Sequence, residues 1–320
     1  MGKFRLFKVF MRLFALCLIG IMSCAPLAAQ DGPRVVVASK ADTEGALLGS
    51  MIALVLERQG IPVDRKLHFG PTQRVREAIL AGEIHIYPEY TGNGAFFHNM
   101  PDDPAWKTPE TAFQTVRRLD HERHKLVWLP RAPANNTWLI AVRGDVARRR
   151  NLITMADFAE AVKRSADLKL AASAEFVESP AALPSFERIY NFHFPRDRIV
   201  IQPGGDTMKT MRAAVRNIEG VNAAMVYGTD GAIATFDLVV MKDMKGAQIV
   251  YEPAPVIRAE ILQRYPKITQ ALAPVFASLT TAKLQSLNAE IVVEEKTPQD
   301  VARRYLDTLG KAAPGPRTSP

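Results

Sequence analysis

Cysteine is almost missing. The 320 residues include two, Cys17 and Cys24, and both fall within the first 29. From Gln30 onward there is no thiol, which excludes a disulfide framework, a thiolate nucleophile and a cysteine-ligated metal. A chain of this length can bury a core large enough to do without cross-links. Catalytic signatures are equally scarce. There is no Gly-x-Ser-x-Gly elbow, and no histidine sits in a recognisable triad context, so an enzyme is not expected. No basic stripe with interleaved aromatics occurs, and no nucleic-acid partner is expected. The formal net charge of +8 misleads, because four basic and no acidic residues lie in the first 29. The rest carries 37 Lys+Arg against 33 Asp+Glu, a net +4.

What is present begins with a leader. Lys3, Arg5, Lys8 and Arg12 precede an apolar run at 13–22, too short to span a bilayer comfortably, and small residues follow. Residues 1–29 read as a cleaved signal peptide and the destination as the periplasm. Ser23-Cys24 also loosely resembles a lipobox, which leaves lipoprotein anchoring as the alternative. The last residues, 312–320, are Pro-rich and read as a disordered tail.

Between these ends the chain alternates strands and helices. Residues 35–38, 63–69 and 84–87 read as strands. A helix over 47–56 stopped by Gly60 and one from Thr72 to Gly82 separate them. A second set follows, with strands at 139–142, 169–172, 221–227 and 238–241 and helices at 155–164, near 186–190 and after Thr207. The C-terminal part reads as helices over 257–265, 268–279, 281–292 and 298–309. These have no sheet of their own, so the chain is expected to return and pack them on the first lobe. The expected fold is α/β with two lobes joined by two hinge crossings, near Asn135-Asn136 and near 242–248. Lobe I takes 34–135 plus 245–311 and lobe II takes 136–244.

Two passages carry functional signal. Ile84-His85-Ile86-Tyr87-Pro88-Glu89-Tyr90-Thr91-Gly92-Asn93-Gly94 and Val221 to Gly231 share one plan: an apolar strand, a Tyr, then a Thr/Gly turn. They supply rings and closely approaching backbone, which suits holding a small molecule. Ser39-Lys40-x-x-Thr43-Glu44, Tyr87-Pro88-Glu89-Tyr90-Thr91-Gly92, Asn136-Thr137-Trp138, Tyr227-x-Thr229-Asp230-Gly231 and Ala254-Pro255-Val256-Ile257-Arg258 occur in this order. Together they resemble the substrate-binding proteins of osmoprotectant ABC transporters, which bind glycine betaine, choline or related quaternary amines. The stretches starting at Pro133 and Leu170 are similar to the OsmF/YehZ branch. The resemblance implies a type II periplasmic binding protein fold (the Venus-flytrap form), a monomer without cofactor or metal, and a membrane permease with its ATPase as partner.

It also implies a site. A quaternary ammonium has charge but no N–H, so ring faces attract it at roughly 0.5–2 kcal/mol each. The implied cage positions are Tyr90, Trp138, Tyr227 and Tyr251, with Asn136 beside them. Lys40 stands at the family's cationic position, and Asn93 where many relatives have Thr. Ser179 stands where relatives usually carry an Arg able to clamp a carboxylate. Its loss removes about 1.5–3 kcal/mol of charged hydrogen bonding and favours a ligand without a carboxylate, such as choline.

Other residues read more plainly. Tyr87 suits packing, and Glu89 suits bracing of its turn. His121-Glu122-Arg123-His124 suits a solvated helix face rather than a metal site, and Met208 and Met211 suit a core. Gly204-Gly205-Asp206-Thr207 fits either a phosphate at a helix start or a tight capped turn. Two alternatives to transport stand: an exported two-lobe sensor for another small ligand, and a periplasmic hydrolase.

Overall fold

Among the described residues, short runs of β-branched and small apolar residues form ten strands: β1 Val35–Lys40, β2 Val63–Gly70, β3 Ile86–Tyr90, β4 Leu126–Trp128, β5 Trp138–Arg143, β6 Leu170–Ala172, β7 Ile199–Ile201, β8 Ala223–Tyr227, β9 Leu238–Val240 and β10 Pro253–Arg258. The computed structural model describes residues 33–165, 167–202 and 206–312. The expected leader, nearly all of the expected tail and the Gly204-Gly205 pair lie outside them.

The strands segregate into two five-stranded sheets, in the orders β2-β1-β3-β10-β4 and β7-β6-β8-β5-β9. The two orders follow one plan. In each, three strands run parallel, and the fourth position is filled by an antiparallel strand from elsewhere in the chain. That strand is β10 in the first sheet and β5 in the second. β3 and β8 therefore occupy equivalent places, and each ends in a tyrosine, Tyr90 or Tyr227.

Helices cover the sheets. The Thr43–Arg58 helix is buried along most of its length and shares a core with Ile257, Leu272, Phe276, Val301, Tyr305 and Leu306. The C-terminal helices thus return to the first sheet. The second sheet has its own cores, one around Phe158, Phe176, Phe186 and Phe194, the other around Met211, Ala224 and Val226.

Several boundaries differ from the sequence reading, each for a local reason. The first helix starts at Thr43, ahead of the expected 47–56. Asp42 caps the Thr43–Arg58 helix by accepting from the Gly45 N–H at 2.7 Å, and Glu44 lies in its first turn. The second helix begins with Thr72 as its first residue. The cap position is Pro71, which makes no side-chain bond, while Gly82 closes the helix with φ 79°. The largest difference is β10. Its Pro253 and Pro255 argue against an interior strand, yet residues 253–258 form one and the helix begins only at Ala259. Pro255 lies opposite Pro88, and its carbonyl accepts from Leu129 on the other side. Its missing N–H therefore points away from β3, and that ladder loses nothing.

Two links join the sheets, from β4 to β5 and from β9 to β10, and they run together. The Asn136 N–H donates to the Tyr251 carbonyl at 2.9 Å, and the Tyr251 N–H donates to Asn135 Oδ1 at 2.8 Å. The Thr137 hydroxyl donates to the Ile249 carbonyl at 2.7 Å. The second link meets the first at 249–251, beyond the expected 242–248.

Candidate functional site

The two antiparallel pairings bring the aromatic residues together. Trp138 opens β5 directly opposite Tyr227 at the end of β8, and the two rings stack with centroids 6.4 Å apart. Phe176 meets the Trp138 ring edge-on at 6.3 Å. In the first sheet Tyr90 ends β3 opposite Pro253, with Tyr251 two residues before it. Gly92 makes room for that ring: a Cβ there would come within 2.7 Å of Tyr251 Cδ1 and Cε1. The glycine serves close approach rather than an unusual backbone angle.

One cavity of about 1080 Å³ lies between these strand ends. Lys40, Tyr90, Asn93, Asn136, Trp138, Ser179, Tyr227 and Tyr251 all line it, so the structure brings together every residue named from the sequence. Burial pushes the phenols of Tyr90 and Tyr251 well up from their ordinary values. Burial also lifts Tyr227 to about 12, with the Trp138 indole pulling the other way. All three rings stay neutral at physiological pH.

Lys40 is not free. Its ammonium lies 2.6 Å from Glu89 Oε1, with both side chains buried, and 4.8 Å above the Tyr90 ring. A ligand can meet only the opposite face or the edge of that ring. Glu89 also accepts from the Tyr90 N–H at 2.6 Å and from Asn93 Nδ2 at 2.7 Å. It braces the turn, and Tyr87 is fully buried behind it with its hydroxyl 3.2 Å from Oε2.

Among the described lining residues, five carboxylates face the cavity: Asp42, Glu44, Glu175, Asp206 and Asp230. The two permanent cations there are each already paired, Lys40 with Glu89 and Arg76 with Asp120 at 2.5 Å. The cavity thus presents a surplus of negative charge.

Glu44 is the residue that sequence reasoning passed over. It accepts from the Tyr90 hydroxyl at 2.7 Å, from Asn136 Nδ2 at 3.3 Å and from Asn288 Nδ2 at 2.6 Å. Burial pushes its carboxyl up to about 7, although bonds from Thr229, Tyr90 and Asn288 oppose the rise. Burial likewise lifts Asp230 to about 6 against a bond from the Tyr227 N–H. Glu44 and Asp230 were visible only as letters of two motifs. Asn288 lies in the Thr281–Val292 helix and gave no signal at all. Asn136 Oδ1, Asn288 Oδ1 and Trp138 Nε1 are buried without a well-formed hydrogen bond among the described residues. Such atoms carry a desolvation cost that a bound ligand can relieve.

His121, Glu122, Arg123 and His124 are exposed on the last turn of the Pro109–His124 helix, as a solvated face requires. His98, Asp120 and His124 form the one grouping among the described residues with metal-like spacing. Its chemistry fits a metal poorly. Asp120 already receives Arg76, His98 and Trp128, and His98 Nδ1 faces Arg123. Met211 belongs to the core and Met208 packs against it, and both also touch the cavity. No helix among the described residues is long and apolar enough to cross a membrane.

Residues 33–308 match the family described as the substrate binding domain of ABC-type glycine betaine transport system. The chain is 48% identical over 290 residues to the glycine betaine-binding protein YehZ of Escherichia coli K12, covering 91% of this chain and 95% of that one. The solved structure of apo YehZ from Escherichia coli superposes with a TM-score of 0.77 at 49% identity, over 87% of this chain and 99% of that one. A further relative is the ergothioneine transport permease/ergothioneine binding protein EgtU of Helicobacter pylori G27, 29% identical over 89% of this chain and 49% of that one. With 48% identity to a binding protein over nearly its whole length, this is a protein that captures a substrate rather than one that transforms it. The chain belongs to the family of substrate-binding domains of ABC-type glycine betaine transport systems.

Proposed function

We propose that the chain captures a small quaternary amine in a cage formed by Tyr90, Trp138, Tyr227 and Tyr251, and delivers it in the periplasm to an ABC permease driven by its ATPase. Glycine betaine, choline and related amines are the candidate cargo. Lobe I comprises 34–135 plus 245–311 and lobe II 136–244, and the protein acts as a monomer. One observation supports this most: four aromatic residues from distant parts of the chain line a single cavity rich in carboxylates. Ring faces and negative charge attract a cation that cannot donate hydrogen bonds.

The head group matters more than the rest of the ligand. Glycine betaine and ergothioneine, named for two relatives, both carry a trimethylammonium group. The ligand's other end meets Ser179, Asn93 and a Lys40 already held by Glu89. A carboxylate there receives no bidentate guanidinium.

Isothermal titration with choline, glycine betaine, carnitine and ergothioneine tests the reading. At least one is expected to bind, and Tyr90→Ala or Tyr227→Ala is expected to weaken it at least tenfold, since each ring contributes up to about 2 kcal/mol. No heat from any of them, or unchanged affinity in both variants, excludes the cage.

A further inference from the structure

Glu44 is a buried carboxyl at the wall of a cavity proposed to hold a permanent cation. Four separate parts of the chain converge on it: the first turn of its own helix, the end of β3, the link before β5, and the Thr281–Val292 helix. Asn288 Nδ2 bonds Glu44 Oε2 at 2.6 Å and the Thr229 carbonyl at 2.9 Å, so it joins Glu44 to the turn after β8. The two amides that donate to Glu44 have carbonyl oxygens buried without partners. The cluster offers acceptors and negative charge, and its own charge is unbalanced.

We propose that Glu44 is the counter-charge of this site: entry of a permanent cation draws the Glu44 proton off, so that capture is coupled to proton release. The inference rests on the quaternary-amine reading above. Its support is the surroundings of the carboxyl. Asp42, which caps the same helix, and Asp230 after β8 bring carboxyl groups and no positive charge. On β1, Lys40 is held by Glu89 of β3. Tyr90, Tyr227 and Tyr251 are neutral phenols, and Asn136, Asn288 and Thr229 are neutral. His124, beside Arg76 and Asp120, is lowered by burial and by Arg76. Among the described residues no unpaired cation faces Glu44, which its burial pushes up to about 7. An opposite charge within about 4–6 Å lowers a carboxyl pKa by roughly 1–3 units.

The direction follows. Below about pH 7 the empty protein carries the Glu44 proton, and binding must expel it, so affinity falls as pH falls. Above about pH 8 the group is already ionised and affinity levels off. A one-unit drop on binding makes affinity roughly sevenfold weaker at pH 5.5 than at pH 8.

The test is calorimetric titration from pH 5.5 to 8.5 with choline or glycine betaine, whichever binds more tightly. At pH 6.5 it is repeated in two buffers of different ionisation enthalpy to count protons released. In parallel, carbon-13 NMR follows the Glu44 carboxyl with and without ligand. The expected result is a gain in affinity of about sevenfold or more from pH 5.5 to 8, net proton release, and a Glu44 midpoint that falls by about a unit or more on binding. Glu44→Gln should flatten the profile while Asp230→Asn keeps it. A flat wild-type profile, or one that survives Glu44→Gln and disappears in Asp230→Asn, overturns the proposal but leaves the cage intact. Absence of binding by every quaternary amine at every pH overturns the cage reading and this proposal together. Should Glu44→Gln fail to fold, an unmoved Glu44 midpoint in the wild type is decisive against the proposal.

Discussion

At the scale of single residues, small differences decide what the cavity can hold. Ser179 lines it with a hydroxyl, and an arginine at this position could clamp a carboxylate. Ser179→Arg is therefore expected to raise glycine betaine affinity about tenfold or more, from 1.5–3 kcal/mol of charged hydrogen bonding, and to leave choline nearly unchanged. Equal gains for both ligands in titration calorimetry would show that Ser179 does not face the carboxylate end. Gly92 controls Tyr251 in the same direct way. A methyl at Gly92 would sit 2.7 Å from the ring, so Gly92→Ala should weaken ligand binding while circular dichroism stays native. These residues were readable from the sequence because motifs carried them. Glu44 was in such a motif too, but burial and a partner 244 residues away give it its chemistry.

Secondary-structure elements place these residues by end and by register. The Asp42 cap fixes where the Thr43–Arg58 helix begins, and so aims Glu44 at the cavity. Asp42→Ala should cost about 1 kcal/mol in urea denaturation, the usual loss for an N-cap. The Pro109–His124 helix is tied differently. Its Asp120 receives two bonds from Arg76 and one each from His98 and Trp128, which join this helix to the Thr72–Ala81 helix and to β4. Burial alone would raise this carboxyl, but those donors hold it at about 2. Asp120→Ala leaves the buried Arg76 unpaired and is expected to destabilise by roughly 3–5 kcal/mol. A loss under 1 kcal/mol would mean that water reaches the guanidinium. The alternating pattern marked most of these elements. It missed β10 because two prolines speak against a strand until their pairing with Pro88 and Leu129 is known.

For the whole molecule, buried carboxyls set how stability varies with pH. Glu44 rises from 4.5 to about 7 on folding, and Asp230 from 3.8 to about 6. A raised carboxyl favours the fold below its unfolded value, and that contribution is lost as pH climbs through the folded value. Asp120 works in the opposite sense: its stabilisation is present above about pH 4 and lost as pH falls towards 2. These three groups together favour the fold most just below about pH 4, and their contribution declines from there through about pH 7. Glu44→Gln should reduce that decline, and matching wild-type and variant curves in urea titrations at pH 4.5, 6 and 8 would rule out Glu44 as its source. Ligand should also draw the two sheets together across the paired links at 135–137 and 249–251, lowering the radius of gyration in small-angle scattering.

By itself the sequence determined the alternation of strands and helices and the repeated strand-Tyr-turn plan, because these depend on local period, caps and turn chemistry, while the aromatic candidates came from the resemblance that its motifs carry. The tertiary structure alone decided that β5 and β10 cross into places that align Trp138 with Tyr227 and Tyr90 with Pro253. It also decided that Glu89 neutralises Lys40 and that Asn288 reaches Glu44. Register, burial and long-range pairing are properties of the packed chain, and the electrostatics of a cavity exist only once its walls have met.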